Sequence, residues 1–166
     1  MTVRPQRVLV AGLGNIFLGD DAFGVEVVRR LSVLGLPDDV RVIDVGIRSV
    51  HLAYELRERT YDTVILIDVV SKGGEAGTLY VLEPDDDEDT LNDRVTDGHA
   101  IHPHEIFALV RQLGGHLPRM ILVGCEPFRT GPDAGLSPRV AAAVDDAVAL
   151  VTRLASAVVP LMAVRT

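Results

Sequence analysis

The sequence predicts an α/β protein, a three-layer α/β/α sandwich around a mostly parallel five-stranded sheet with one antiparallel edge strand. Three observations predict it. Apolar runs of strand length alternate with amphipathic stretches of helix length from Arg7 onward, the pattern of parallel strands joined by crossover helices. The first run passes through the turn Gly12-Leu13-Gly14-Asn15 into a helix opened by Asp20 and Asp21. The fourth run follows the third after a glycine-rich link too short for a parallel crossover, so it turns back at an edge.

Each element has its own signal. Arg7 to Gly12 is a continuous apolar run, as expected of a strand buried on both faces. Asp21 to Leu34 reads as the first helix, with Val25, Val28, Leu31 and Leu34 inward, Asp20 as its N-cap, and Gly35 and Pro37 ending it. Val40 to Val45 is the second strand. Ser49 to Arg59 is the second helix, with Leu52, Leu56 and Tyr54 on its inner side. Thr63 to Val69 is the third strand, and Asp68 interrupts its apolar run near the carboxyl end. Thr78 to Leu82 is the fourth. Glu83 to His102 is polar and without periodicity, a length of loop that usually carries function or disorder. Pro103 to Leu113 is a helix with proline at its first position. Arg119 to Gly124 is the fifth strand, and Ser137-Pro138 starts the last helix, with Val140, Val144, Ala147, Val148, Val151, Leu154 and Val158 on its apolar side.

The 166 residues fit one domain, 1–166, with no internal repeat. The net charge of −8 is unevenly spread, because eight acids between Glu83 and Asp97 face only Arg94. The rest is close to neutral, so no basic stripe offers itself to nucleic acid or to a membrane surface. Cys125 is the single cysteine, which excludes an internal disulfide and fits a reducing compartment. Met1 to Arg7 lacks a signal pattern, and Arg153 and Pro160 break the apolar C-terminal stretch. A cytoplasmic monomer is the expectation.

In such a sheet the site lies beyond the carboxyl ends of the strands, beside the first. Asp21 follows the first strand and Asp68 closes the third, on one edge, to which the long loop brings His99, His102 and His104. Two carboxylates and an imidazole form an oxygen/nitrogen set suited to a divalent ion of borderline character, nickel and zinc included. Each residue also has a plainer reading. Asp21 in a first helical turn can simply complement the helix dipole. A histidine in a polar loop is more often exposed than a ligand. Asp68 is harder to explain away, since a carboxylate inside a buried run needs a partner or a function. The run Asp85 to Asp89 reads as a solvated loop tip, Cys125 as a small buried residue at a strand end, and His51 and His116 carry no special signal.

A rival reading takes Gly12-Leu13-Gly14 as the opening of a dinucleotide fingerprint, with Asp44 at the end of the second strand holding a ribose. The third glycine position is Phe17, however, and Asp20 and Asp21 put negative charge where a pyrophosphate would meet the helix.

Gly12-Leu13-Gly14-Asn15 with Asp20-Asp21 and Gly24 resembles the signature of the hydrogenase maturation endopeptidases. The resemblance continues through Asp44-Val45-Gly46, Val64-Ile65-Leu66-Ile67-Asp68 and the histidine loop, and resumes at Leu122-Val123-Gly124-Cys125-Glu126-Pro127 and Gly135-Leu136-Ser137. It implies the same sandwich with a twisted sheet. It also implies an endopeptidase that removes a C-terminal peptide from the precursor of a nickel-iron hydrogenase large subunit, once nickel sits on the precursor's own cysteines. The family's nickel-binding triad falls by motif position on Asp21, Asp68 and His99, with His102 the nearest competitor and His104 inside the following helix. The ion expected is nickel supplied by the substrate, with zinc or cadmium able to stand in for it. The resemblance leaves open a metal-activated water or a carboxyl pair of the aspartic-peptidase kind as the means of hydrolysis. The alternatives to a protease are a dinucleotide-binding module and a non-proteolytic nickel or hydrogenase chaperone.

Overall fold

The computed structural model describes residues 5–84 and 103–158. Nine regular elements follow in chain order: β1 (Val8–Leu13), α1 (Phe23–Leu34), β2 (Val40–Gly46), α2 (Ser49–Glu58), β3 (Thr63–Val69), β4 (Leu79–Leu82), α3 (Pro103–Gln112), β5 (Arg119–Cys125) and α4 (Pro138–Val158). The strands form one sheet in the order β2-β1-β3-β5-β4. All neighbours are parallel except β4, which pairs antiparallel with β5 at the edge. The fold class, with its antiparallel edge strand, agrees with the expectation, and β2 and β3 flank β1.

The continuous apolar runs of β1, β3 and β5 follow from cover on both faces. Alternate residues supply the two cores. Val8, Val10, Ile65, Ile67, Ile121 and Val123 pack with α1 and α4. Leu9, Ala11, Val64, Leu66, Met120 and Leu122 pack with α2 and α3. This two-residue period within a single run sorts each strand between the layers.

Helix α1 lies against β1 and β3 at backbone distance. A Cβ on Gly24 would stand 2.2 Å from the Ile67 carbonyl oxygen and 2.4 Å from that of Leu13. A Cβ on Gly12 would stand 2.4 Å from the Gly24 oxygen. These contacts draw the start of α1 down onto the carboxyl ends of the two strands.

Several details depart from the sequence reading. Helix α1 begins at Phe23, two residues later than expected, because Gly19–Ala22 forms a 3₁₀ turn. No side chain caps α1, so Asp20 is not its N-cap. Leu34 is exposed, since the left-handed Gly35 ends the helix after it has passed the sheet. Tyr54 faces solvent rather than the core. The acid run Asp85 to Asp89 and both His99 and His102 lie outside the described residues. Among the described residues no helix is long and apolar enough to cross a membrane.

Candidate active site

The crevice opens where β1 and β3 part. Their ladder ends at the pair Gly12–Ile67, while β1 continues beside β2 to Leu13 and β3 continues beside β5 to Val69. Asp68 is therefore the first residue of β3 without a partner on β1, at the point where chain connections run to opposite sides of the first strand. Asp21 reaches the same crevice from the 3₁₀ turn. Gly14, at φ 128°, folds the β1 turn back against this segment, and a Cβ there would stand 1.8 Å from the Asp21 carbonyl oxygen. The turn delivers the Asn15 N–H to the Asp21 carboxylate at 2.8 Å.

Both carboxyls are buried. Asp68 accepts a 2.8 Å hydrogen bond from the N–H of Val69. Burial, followed by the negative charge of Asp21, pushes its carboxyl up to about 8 against the single lowering contact of that N–H. The two acids thus share one electrostatic environment, and near neutral pH the structure holds a proton on Asp68. A crevice that disfavours a second negative charge is one that a divalent cation would neutralise, and hard or borderline oxygen donors suit such an ion.

Asp20, next in chain to Asp21, does something the sequence did not disclose. It is fully buried. Its Oδ2 accepts from the backbone N–H of Phe128 at 2.8 Å and of Arg129 at 3.0 Å, and from the Ser137 hydroxyl at 2.8 Å. Its Oδ1 accepts from the Ser137 N–H at 2.6 Å. Burial opposes ionisation of Asp20, but the hydrogen bonds together outweigh it and hold the carboxyl below its ordinary value. The carboxylate clasps the loop between β5 and α4 to the 3₁₀ turn. Backbone bonds from Gly19 to Asp133 and from Asp20 to Arg129 tighten the same join. Asp21 accordingly sits on a turn anchored at both ends.

A family model described as hydrogenase maturation protease matches residues 25–154. The hydrogenase expression/formation protein HupD of Rhodobacter capsulatus is 33% identical over 152 residues, covering 90% of this chain and 71% of the relative. The hydrogenase 2 maturation protease of Escherichia coli is 32% identical, covering 85% of each. The solved structure of the hydrogenase maturating endopeptidase HybD from E. coli superposes with a TM-score of 0.75 at 30% identity, covering 92% of this chain and 94% of that one. The chain belongs to the hydrogenase maturation protease family.

In this maturation protease the described residues bring together two of the acids singled out from sequence, Asp21 and Asp68. Among the described residues no group of three histidine, cysteine or acidic side chains is placed to hold a metal. His104 takes the second position of α3. Asp44 ends up exposed on β2, and in the β1 turn beside it the Asn15 N–H serves Asp21 rather than standing free for a phosphate. Cys125 is buried, and burial first, then the charges of Asp20 and Glu126, push its thiol up to about 12, far from a nucleophile's range.

The protease also contains a buried carboxylate that received no role from sequence. Glu126 accepts from the N–H groups of Lys72 at 2.8 Å and Gly73 at 3.2 Å and from the Tyr80 hydroxyl at 2.8 Å. It thereby ties the turn that follows Asp68 to the end of β5. An acid directly after a buried run was the available signal, a weaker one than the carboxylate inside a run that marked Asp68.

Proposed function

We propose that this maturation protease removes the C-terminal extension of a nickel-iron hydrogenase large-subunit precursor after nickel insertion, and that the precursor's nickel is its recognition signal. The observation that carries the reading is the buried pair Asp21 and Asp68 at the parting of β1 and β3. In the metal-free protease the pair holds a proton on Asp68, because two negative charges in that crevice repel each other. A precursor that presents a divalent ion removes the objection to the second charge. Asp68 would then give up its proton to solvent, and Asp21, Asp68 and His99 are the residues that would hold the ion from the protease side. An unloaded precursor offers no cation and leaves the pair protonated and unengaged. Selection of loaded precursor thus follows from electrostatics, without a separate sensing element. Held there, the ion would supply Lewis acidity for the scissile carbonyl or a water. The membership in a protease family and the solved HybD neighbour support a hydrolytic outcome.

The test is the intact mass of a large-subunit precursor incubated with the protein, with and without nickel. The mass should fall by that of the C-terminal extension only for nickel-loaded precursor, and Asp21→Ala and Asp68→Ala should leave it unchanged. A precursor retained by the wild-type protein with its mass intact would make the protein a chaperone. Tight binding of NAD in a calorimeter would return the dinucleotide reading.

A further inference from the structure

The described surface is apolar in an uneven way. Of the chain's four phenylalanines, Phe23 and Phe107 are buried, whereas Phe17 is 74% and Phe128 70% exposed. Phe17 stands on the loop between β1 and α1, the segment that also carries Asp21. Ile47 at 67% and Ile16 at 40% exposure add to the same rim. Ile16, Phe17 and Ile47 line a groove of about 330 Å³ whose floor includes Gly14 and Asn15. That lining includes the turn whose Asn15 N–H holds Asp21, so the groove lies against the turn that positions one of the two acids.

The rim is rigidly presented. The Asn15 side chain accepts from the Phe17 N–H at 2.9 Å, and the Phe17 carbonyl accepts from the Asp133 N–H at 3.3 Å. Large apolar side chains fixed in water at one edge of a site are a contact surface, because no folding energy is gained by leaving them there. Arg29 beside the groove is paired with Glu26 at 3.2 Å, and Arg129 with Asp133 at 2.9 Å. Arg48, lining the groove, makes no ion pair among the described residues. Asp44 also lines the groove but is not paired with Arg48 among the described residues, so the Arg48 guanidinium is open to an incoming carboxylate beside an apolar rim.

We infer that the Ile16, Phe17 and Ile47 rim with Arg48 is the docking surface for the protein substrate, and that it takes a segment carrying large apolar side chains next to a carboxylate. The inference rests on the proteolytic reading above and deepens it. The acids engage the ion, and the rim supplies the binding that positions the polypeptide. Binding of this kind is felt in KM, because it is the same in the ground state and the transition state.

The experiment is steady-state cleavage of nickel-loaded large-subunit precursor by the full chain, with variants Phe17→Ser, Ile47→Ser, Arg48→Glu and Arg48→Lys. All three positions lie on the surface, so melting temperatures should match wild type. Phe17→Ser and Ile47→Ser should each raise KM by roughly tenfold with kcat within about twofold, the size of a modest interface anchor. Arg48→Glu should do the same and Arg48→Lys should restore most of the loss. Unchanged KM in these variants, with wild type cleaving normally, would overturn the docking surface and leave the proposed function standing. Absence of cleavage by wild type would overturn both. Unchanged KM together with a wild-type dimer that Phe17→Ser converts to monomer in sedimentation would reassign the rim to contact between copies.

Discussion

Replacing Asp68 by Asn should make the metal-free protein more stable while abolishing its activity. In the folded chain burial and Asp21 push the Asp68 carboxyl up to about 8, from 3.8 ordinarily. The unfolded chain releases this proton from about pH 4 upward, whereas the native state retains it until about pH 8. Between those limits the unfolded state binds fewer protons, so native stability falls as pH rises, and above about pH 8 the loss is complete. At about 1.4 kcal/mol per pH unit the full interval amounts to on the order of 5 kcal/mol, and relaxation of the crevice around the charge will reduce what is realised. Asn has the same shape, no charge, and a carbonyl that can keep the Val69 N–H. The variant should therefore equal wild type near pH 4 and exceed it by ~2–5 kcal/mol at pH 8, or roughly 5–15 °C in melting temperature. Urea unfolding at several pH values in the presence of a chelator measures this. Taking the difference between the two proteins cancels the other titrating groups. A variant less stable than wild type at pH 8, or a difference that does not grow with pH, would refute the reasoning.

Asp20→Asn should cost ~3–5 kcal/mol, since one amide cannot accept from all of Phe128, Arg129 and Ser137 and leaves buried N–H groups facing a donor. Ser137→Ala, which removes a single bond, should cost only ~1 kcal/mol; equal losses would discount the clasp. Because Asp20 is held below its ordinary value, its contribution is present at neutral pH and is lost as pH falls through the folded value, so the Asn variant should show a flatter acid limb in urea titrations. Gly24→Ala should lose ~3 kcal/mol or fail to fold, as its Cβ would meet the Ile67 carbonyl at 2.2 Å, while Gly131→Ala, with nothing within 4 Å, should be close to neutral by thermal melting. His99→Ala should abolish precursor trimming and His102→Ala and His104→Ala only weaken it, as read by mass spectrometry; the reverse ranking would move the ligand.

The sheet and its connections were legible in the sequence because each signal is local. The run Thr63 to Val69 forms a strand with those same bounds, and the short link before Leu79 forces an antiparallel return that the structure places beside β5. Asp68 announced itself through a conflict that a single strand contains, a carboxylate in a buried run. Asp20 misled for the same reason. Beside a helix start an aspartate reads as that helix's cap, yet its partners Phe128, Arg129 and Ser137 lie more than a hundred residues further along. Leu34 and Tyr54 kept helical spacing but fell outside the cover of the sheet, which only the layer packing delimits. The amino-acid order by itself determined the alternation of strands and helices and the chemical kinds of side chain delivered to one edge. Tertiary structure decided which acid clasps a distant loop and which one keeps its proton, because hydrogen-bond partners and desolvation arise from segments that meet only when the chain is folded.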